Sequence, residues 1–239
     1  MMPAAHTLYD VIDHTWPAAR SLKTGPFLLR DGQGGGKRVS AATSLRTDWT
    51  QADLDAAEQG MRDLGQSCLF MIREGDQRLD DTLGERGYHI VDPVVMYCIP
   101  VAALSGNIPP RVSTFEIWRP LAIGFDIWAA GGIGPARWDV MERAGGPKTS
   151  ILGRWNDSPA GVGFVAIHDG IAMMHALEIL PHQRRQGMAE KMIARAAIWA
   201  ERNNASHISA VCTLANDAAN KLYSKLGMTV VGHYHYRQK

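Results

Sequence analysis

The stretch Leu177-Glu178-Ile179-Leu180-Pro181-His182-Gln183-Arg184-Arg185-Gln186-Gly187-Met188-Ala189 decides how this chain folds. An apolar run from Ile171 to Leu180 meets Pro181, crosses a polar loop and enters a segment of helical periodicity, which predicts strand, loop and helix in that order. The loop is therefore the mouth of a helix, where free N–H groups and the positive end of the helix dipole face outward. Gly187 and Ala189 add little bulk and let a ligand approach the main chain. Arg184 and Arg185 supply planar guanidinium groups that match phosphate oxygens. The combination is a cradle for a pyrophosphate.

Downstream, Ala189, Met192, Ile193, Ala196, Ala197 and Ala200 fall on one helical stripe, with Lys191, Arg195 and Arg202 outside it. A strand is expected at residues 207–212. Asn216 then caps a helix whose Ala219, Leu222 and Leu226 face inward and which stops at Gly227, and a last strand runs from Thr229 to Tyr236. Upstream, strands at 149–154 and 161–167 lead through an Asp169-Gly170 turn into the central strand. Before them lie a helix carrying Leu121, Phe125 and Trp128 and a second helix launched by Pro135.

The spacing Arg184-x-x-Gly187-x-Ala189 resembles the Arg/Gln-x-x-Gly-x-Gly/Ala signature of the GNAT superfamily of N-acetyltransferases. One βαβ unit later, Asn216-Asp217-Ala218-Ala219-Asn220-Lys221-Leu222-Tyr223-Ser224-Lys225-Leu226-Gly227-Met228 is similar to that family's Asn-x-x-Ala-x-x-Leu-Tyr-x-x-x-Gly-Phe helix, with Met228 in place of the aromatic. The resemblance covers Pro120 to the C-terminus well and the first half in outline. It implies an α/β fold built on a mixed sheet, the GNAT acyl-CoA N-acyltransferase fold, here as two tandem GNAT-like domains. Residues 1–108 would form a degenerate domain without the cofactor loop, and residues 109–239 the catalytic domain.

In the first half the order of elements is strand at 39–43, helix, strand at 68–72, helix at 77–85, and strand at 88–99. The first of these helices opens on a capping box, Thr50-x-x-Asp53, and the second stops at Gly87 as its counterpart stops at Gly227. Register from those glycines places Leu83 where the second half has Tyr223. Arg46-Thr47-Asp48-Trp49 occupies the place of the cradle without a glycine. Ahead of this unit, a helix is expected over 6–20, interrupted or ended at Pro17. The run Asp31-Gly32-Gln33-Gly34-Gly35-Gly36-Lys37 fails the Walker pattern at both ends and is expected to be a hairpin tip. Gly131-Gly132-Ile133-Gly134 likewise fails as a dinucleotide fingerprint.

What the resemblance implies for chemistry can be assigned residue by residue. The pyrophosphate of acetyl-CoA would rest on Arg184, Arg185, Gln186, Gly187, Met188 and Ala189, with Asn216 across from them. The pantetheine arm would bond to the main chain of Leu177 and Ile179, and an amide at Leu177 or Glu178 would stabilise the oxyanion. Tyr223, two turns or about 10.5 Å along its helix from Asn216, matches the family tyrosine that reaches the cofactor sulfur. A base is also needed, since an amine of pKa about 10 is protonated at neutral pH. His175 titrates in the right range and shares a strand face with Met173 and Leu177 if the strand is regular. Glu178 then points to the opposite face, and a bulge would reverse that relation. His175 is the preferred base, with Glu178 and water remaining as alternatives. Trp128, Ile133 and Trp138 border the acceptor region in the family, although core packing is the more ordinary use for each. In His233-Tyr234-His235-Tyr236 the two histidines share a face without a third metal ligand, and a side chain of this cluster is expected to line the acceptor cleft.

A formal charge of +1 gives no footing for a nucleic-acid or membrane-surface partner. Cys68, Cys98 and Cys212 sit in apolar runs and are expected to be buried, reduced thiols. No leader pattern opens the chain and no window holds the roughly 18 apolar residues of a membrane span, so a cytoplasmic protein is expected. The function that follows is an N-acetyltransferase moving acetyl from acetyl-CoA to a primary amine, a small molecule or peptide, by direct attack in a ternary complex. No metal is required, and a homodimer is compatible with the sequence. Transfer of a longer acyl chain, and a non-catalytic acyl-CoA sensor or partner-binding module, are the alternatives.

Overall fold

A computed structural model describes residues 1–239. In the first half the elements are α1 (Ala5–Thr15), β1 (Arg20–Thr24), β2 (Phe27–Asp31), α2 (Lys37–Ser40), β3 (Thr43–Ser44), α3 (Gln51–Asp63), β4 (Leu69–Ile72), α4 (Gln77–Glu85), β5 (His89–Pro100) and α5 (Ala102–Ser105). The second half adds β6 (Thr114–Ile117), α6 (Ala122–Ala130), α7 (Pro135–Arg143), β7 (Lys148–Trp155), β8 (Ser158–His168), β9 (Ile171–Ile179), a 3₁₀ turn (Pro181–Gln183), α8 (Met188–Arg202), β10 (His207–Thr213), α9 (Asp217–Lys225) and β11 (Thr229–Gln238). The expected element order holds with three local corrections. α1 ends at Thr15, because Trp16 turns out of the helix before Pro17 and Arg20 already pairs in β1. The expected strand at 39–43 shrinks to Thr43 and Ser44, since the four residues before Ala41 close a helical turn. The glycine run is no hairpin tip: the β1–β2 hairpin turns at Gly25-Pro26, and the run feeds α2.

Eight strands form one mixed sheet in the order β4-β11-β5-β10-β9-β8-β7-β6, and β1, β2 and β3 form a small antiparallel sheet beside it. At its middle the strands of the two halves alternate. β11 pairs antiparallel with both β4 and β5, while β5 pairs antiparallel with β10. Each half has given its last strand to the other, so the hydrogen-bond ladder runs unbroken across the chain's midpoint. The proposed boundary at residue 108 falls in the connection between α5 and β6.

The α8 face of the sheet is filled by Val165, Ala172, Met174, Met192, Ile193, Ala196, Ala197 and Trp199 among others. The opposite face is covered by α1 from the first half and by α6 and α7 from the second, around Trp16, Trp128, Val140 and Phe164. Burying each large side chain contributes on the order of 1.5–3 kcal/mol, so these covers fix which side chains of β9 face α8 and which face α1, α6 and α7. Cys98 is buried, whereas Cys68 and Cys212 are only partly so, and all three are free.

Candidate active site

β9 and β10 run parallel from Ile171↔His207 to Met174↔Ala210, and there their pairing ends. Beyond that point β10 stays on β5 as far as Thr213↔Val94, and β9 stays on β8 as far as Ile179↔Gly161. The two strands therefore splay into a wedge. A bulge at Ala176, which adopts φ +49°, shifts the register between Val162 and Phe164 and turns β9 away. Trp128 is fully buried and holds the bulge by donating its indole N–H to the Ala176 carbonyl at 2.8 Å. At the far end, the Leu180 amide bonds Ala160 on β8, so the N–H and C=O of Ile179 point the other way, into the wedge.

The bulge corrects the side-chain pattern expected for a regular strand. Leu177 and Ile179 pack against the α8 core. His175 and Glu178 instead share the opposite face: His175 sits against Trp16 and Phe164, and Glu178 lies beside Gly131 at the end of α6, where a Cβ would come within 2.7 Å of its carboxylate. His175 is 4 % exposed, and both ring nitrogens are engaged. Arg38 donates to Nδ1 at 3.0 Å, so the proton sits on Nε2, which donates to the Thr15 hydroxyl at 2.8 Å; that hydroxyl in turn donates to the Val11 carbonyl. Burial, and then the neighbouring Arg38 charge, hold its pKa well below the ordinary histidine value. A base role for His175 therefore does not fit, because a proton there would break the Arg38 bond and place two cations in contact. Glu178 is about one-fifth exposed and bonded to Arg184, Nη2 to Oε1, at 3.0 Å.

The loop after β9 has the geometry of an anion nest. Arg185 and Gly187 are left-handed, at φ +63° and +72°, and Gly187 is the N-cap of α8 without any side-chain cap. The amides of Arg185, Gln186, Gly187, Met188, Ala189 and Glu190 donate to no protein acceptor. Arg185 is exposed and unpaired, while Arg184 is folded back on the strand, its Nε donating to the Ile179 carbonyl at 2.9 Å. Gln186 accepts from Asn156 at the β7–β8 turn, and Lys191 donates to the Gln186 carbonyl at 3.1 Å. The residues fit a diphosphate: donors without partners, the dipole of a long helix, and two guanidinium groups within the loop.

Asn216 accepts from the Ala219 amide and caps α9. Tyr223 is 5 % exposed, packs its ring on Tyr97 at 5.2 Å, lies near Cys212 and makes no hydrogen bond through its hydroxyl. Burial raises its pKa, so at neutral pH it keeps its proton. Asn220, part of the quoted motif but given no role from sequence, ties the wedge wall together. Its side chain accepts from the Tyr97 hydroxyl at 2.9 Å and donates to the carbonyls of Thr213, Leu214 and Asn216.

On the face that His175 and Glu178 share, the mouth of the wedge opens into a cleft of about 300 Å³ between the two halves. Its floor includes His175, Ala176, Cys212 and Thr213, and Tyr234 and Tyr236 form a wall, as expected for the C-terminal cluster. His235 meets Asp80 instead, at 2.9 Å. The first half contributes Trp16, Lys37, Arg38 and Asp92, and α7 contributes Arg137. None of these was singled out from sequence, since no local motif connects positions so far apart. Gly35 is what admits this wall: a Cβ there would lie 2.7 Å from Val140 on α7 and 2.9 Å from Val39. Ile133 also lines the cleft, and its carbonyl accepts the Trp138 indole N–H at 2.8 Å.

Comparison with known proteins agrees with this geometry. Residues 124–228 match the family described as Acetyltransferase (GNAT) family. A curated protein of Bacillus subtilis (strain 168), named Uncharacterized N-acetyltransferase YobR, is 27 % identical over 244 residues, covering 94 % of each chain. Among solved structures, a GCN5-related N-acetyltransferase from Kribbella flavida superposes with a TM-score of 0.70 at 17 % identity, over 100 % of this chain and 96 % of that one. A tandem GNAT protein from the clavulanic acid biosynthesis pathway superposes with a TM-score of 0.62 at 10 % identity, over 83 % and 74 %. The mixed sheet with its wedge is thus the GNAT fold, and residues 124–228 within it match the Acetyltransferase (GNAT) family.

Proposed function

We propose that the protein transfers an acetyl group from acetyl-CoA to a primary amine by direct attack. The unpartnered amides of residues 185–190 carry this reading, because a row of free donors turned inward by left-handed Arg185 and Gly187 at the mouth of a 15-residue helix suits an anion. Arg185 would add a guanidinium contact, and Arg184 would exchange Glu178 for a phosphate oxygen. Ile179 would offer its wedge-facing N–H, and its C=O once Arg184 Nε has left it, to the amides of the pantetheine arm. Bound acetyl-CoA supplies an electrophilic thioester carbonyl at the wedge mouth.

Glu178, released from Arg184, would take one proton from the acceptor's ammonium so that the neutral amine attacks, and the second nitrogen proton would leave with the CoA sulfur. As the new C–N bond forms and the C–S bond breaks, Tyr223 would donate a hydrogen bond to the departing sulfur. Its raised pKa suits a donor that keeps its proton. Cys212 is a poor covalent carrier: burial pushes its pKa up to about 11, so it stays a thiol. Direct attack is preferred for that reason.

Mass spectrometry of the protein with acetyl-CoA and a panel of amines tests the reading. Acetylated amine and free CoA are expected, and Glu178→Gln should lower kcat by about 10²–10⁴. Tight CoA binding without any product would indicate a sensor instead.

A further inference from the structure

The cleft has a charge pattern that its neighbours within the protein leave uncompensated. Of its charged groups, Lys37 and Asp92 satisfy each other at 2.7 Å. Arg38 and Arg137 remain, and neither has a carboxylate within ion-pair distance. Arg38 is held by neutral His175 through one Nη, while its Nε is buried without a hydrogen-bond partner. Arg137 packs on Gly36, within 3.5 Å of where a Cβ would stand, and reaches only the Gly132 carbonyl at 3.5 Å. On the adjoining wall Tyr234 and Tyr236 set their hydroxyls close to Arg38 without adding a carboxylate. Two guanidinium groups without a carboxylate partner around one small cavity offer a site for acceptor oxygens.

We infer that this cleft binds an anion, and that the amine acetylated here is a small molecule bearing a carboxylate gripped by Arg38 and Arg137. Its role as acceptor rests on the acyl-transfer reading above, whereas the anion site does not. The volume sets the size: about 300 Å³ is at the lower end for ligand pockets and admits an amino acid or a dipeptide. A carboxylate on the Arg38–Arg137 side leaves the amine end toward the floor of Ala176, Cys212 and Thr213, where β9 and β10 part. An uncharged or dicationic amine would leave the half-buried Arg38 and Arg137 without an anionic partner, and this loss is what discriminates.

Calorimetry of the full chain, with and without CoA, against α-amino acids, dipeptides, their carboxamides, phosphoethanolamine and 1,4-diaminobutane tests the site. At least one carboxylate probe should bind about tenfold to a hundredfold tighter than its carboxamide. Arg137→Gln should abolish that ratio, and Arg137→Lys should keep part of it. The site is refuted if no carboxylate probe binds, if carboxamides or the diamine bind as well, if phosphoethanolamine binds tighter than every carboxylate, or if Arg137→Gln leaves the ratio intact. A separate CoA titration keeps the two ideas apart. Loss of CoA binding alone would strike the acyl-transfer reading, and a flat amine panel with normal CoA binding would strike the anion site.

Discussion

α3 in the first half and α8 in the second follow equivalent strands, yet they treat their N-termini in opposite ways. At α3 the Thr50 hydroxyl accepts from the Asp53 amide, and the Asp53 carboxylate accepts from the Thr50 amide at 2.8 Å and from its hydroxyl at 2.7 Å. The helix supplies its own anion, and those two hydrogen bonds hold the Asp53 carboxyl below its usual pKa. Trp49 fills the loop before it, 3 % exposed, under the stacked Arg78 guanidinium. At α8 a left-handed glycine stands where the cap would be, and the amides are left open. The strands differ in parallel: the β3–β4 region keeps a single parallel bridge, Ala42↔Phe70, against the four paired positions and the wedge of β9 and β10. A helix N-terminus is open to an outside anion only when its own sequence leaves it uncapped.

The helices that follow show the same divergence on a shared frame. Tyr88 bonds the Leu83 carbonyl past Gly87, and Met228 bonds the Tyr223 carbonyl past Gly227. The stop is identical, and a fully buried leucine occupies the place of the tyrosine.

The strongest way to break the contrast is to close the open helix. Gly187→Glu puts a carboxylate at the cradle and a side chain at φ +72°, so the Kd for CoA should rise at least about a hundredfold in calorimetry while circular dichroism stays native. Unchanged affinity would show that the anion binds elsewhere. Next, Tyr223→Phe should lower kcat about tenfold and leave CoA affinity within a factor of about two, since one hydrogen bond to the leaving sulfur is removed; an equal rate would return Tyr223 to a packing role. Opening the closed helix should do less. Thr50→Ala is expected to cost about 1 kcal/mol in urea denaturation and to leave CoA binding untouched.

The smallest effect concerns the contact by which the first half holds the second. His175 has a folded pKa below the unfolded value of about 6.5, so the unfolded chain binds the extra proton. The stability from its neutral form is full above that pH and is lost as pH falls from about 6.5 toward the folded value. Melting curves of His175→Gln should have a shallower pH dependence across that window than the parent, and equal slopes would mean that His175 titrates normally.

Much of the second half was legible because its signals are local. Pro181, Gly187, Asn216 and Gly227 each act on backbone within a few residues, and they placed the loop, the caps and the stops correctly. The Thr50-x-x-Asp53 box was equally readable. His175 was misassigned because its protonation depends on Arg38 and Thr15, more than a hundred residues away, and because the Ala176 bulge changes which side chains share its face. The strand exchange between halves left no trace in the pattern of residues, since the apolar run of β5 and the alternation of β11 report burial and not which strand lies alongside.

By itself, then, the sequence determined a strand, a nest and a helix at residues 171–202, because turn chemistry and helix capping are settled by near neighbours. Only the tertiary structure decided which residues line the cleft at the wedge mouth. That cleft joins Trp16, Arg38 and Asp92 to Arg137, His175 and Tyr234 through a shared sheet and a packed glycine. Such a juxtaposition is fixed by burial across the whole chain, for which no stretch of residues carries a code.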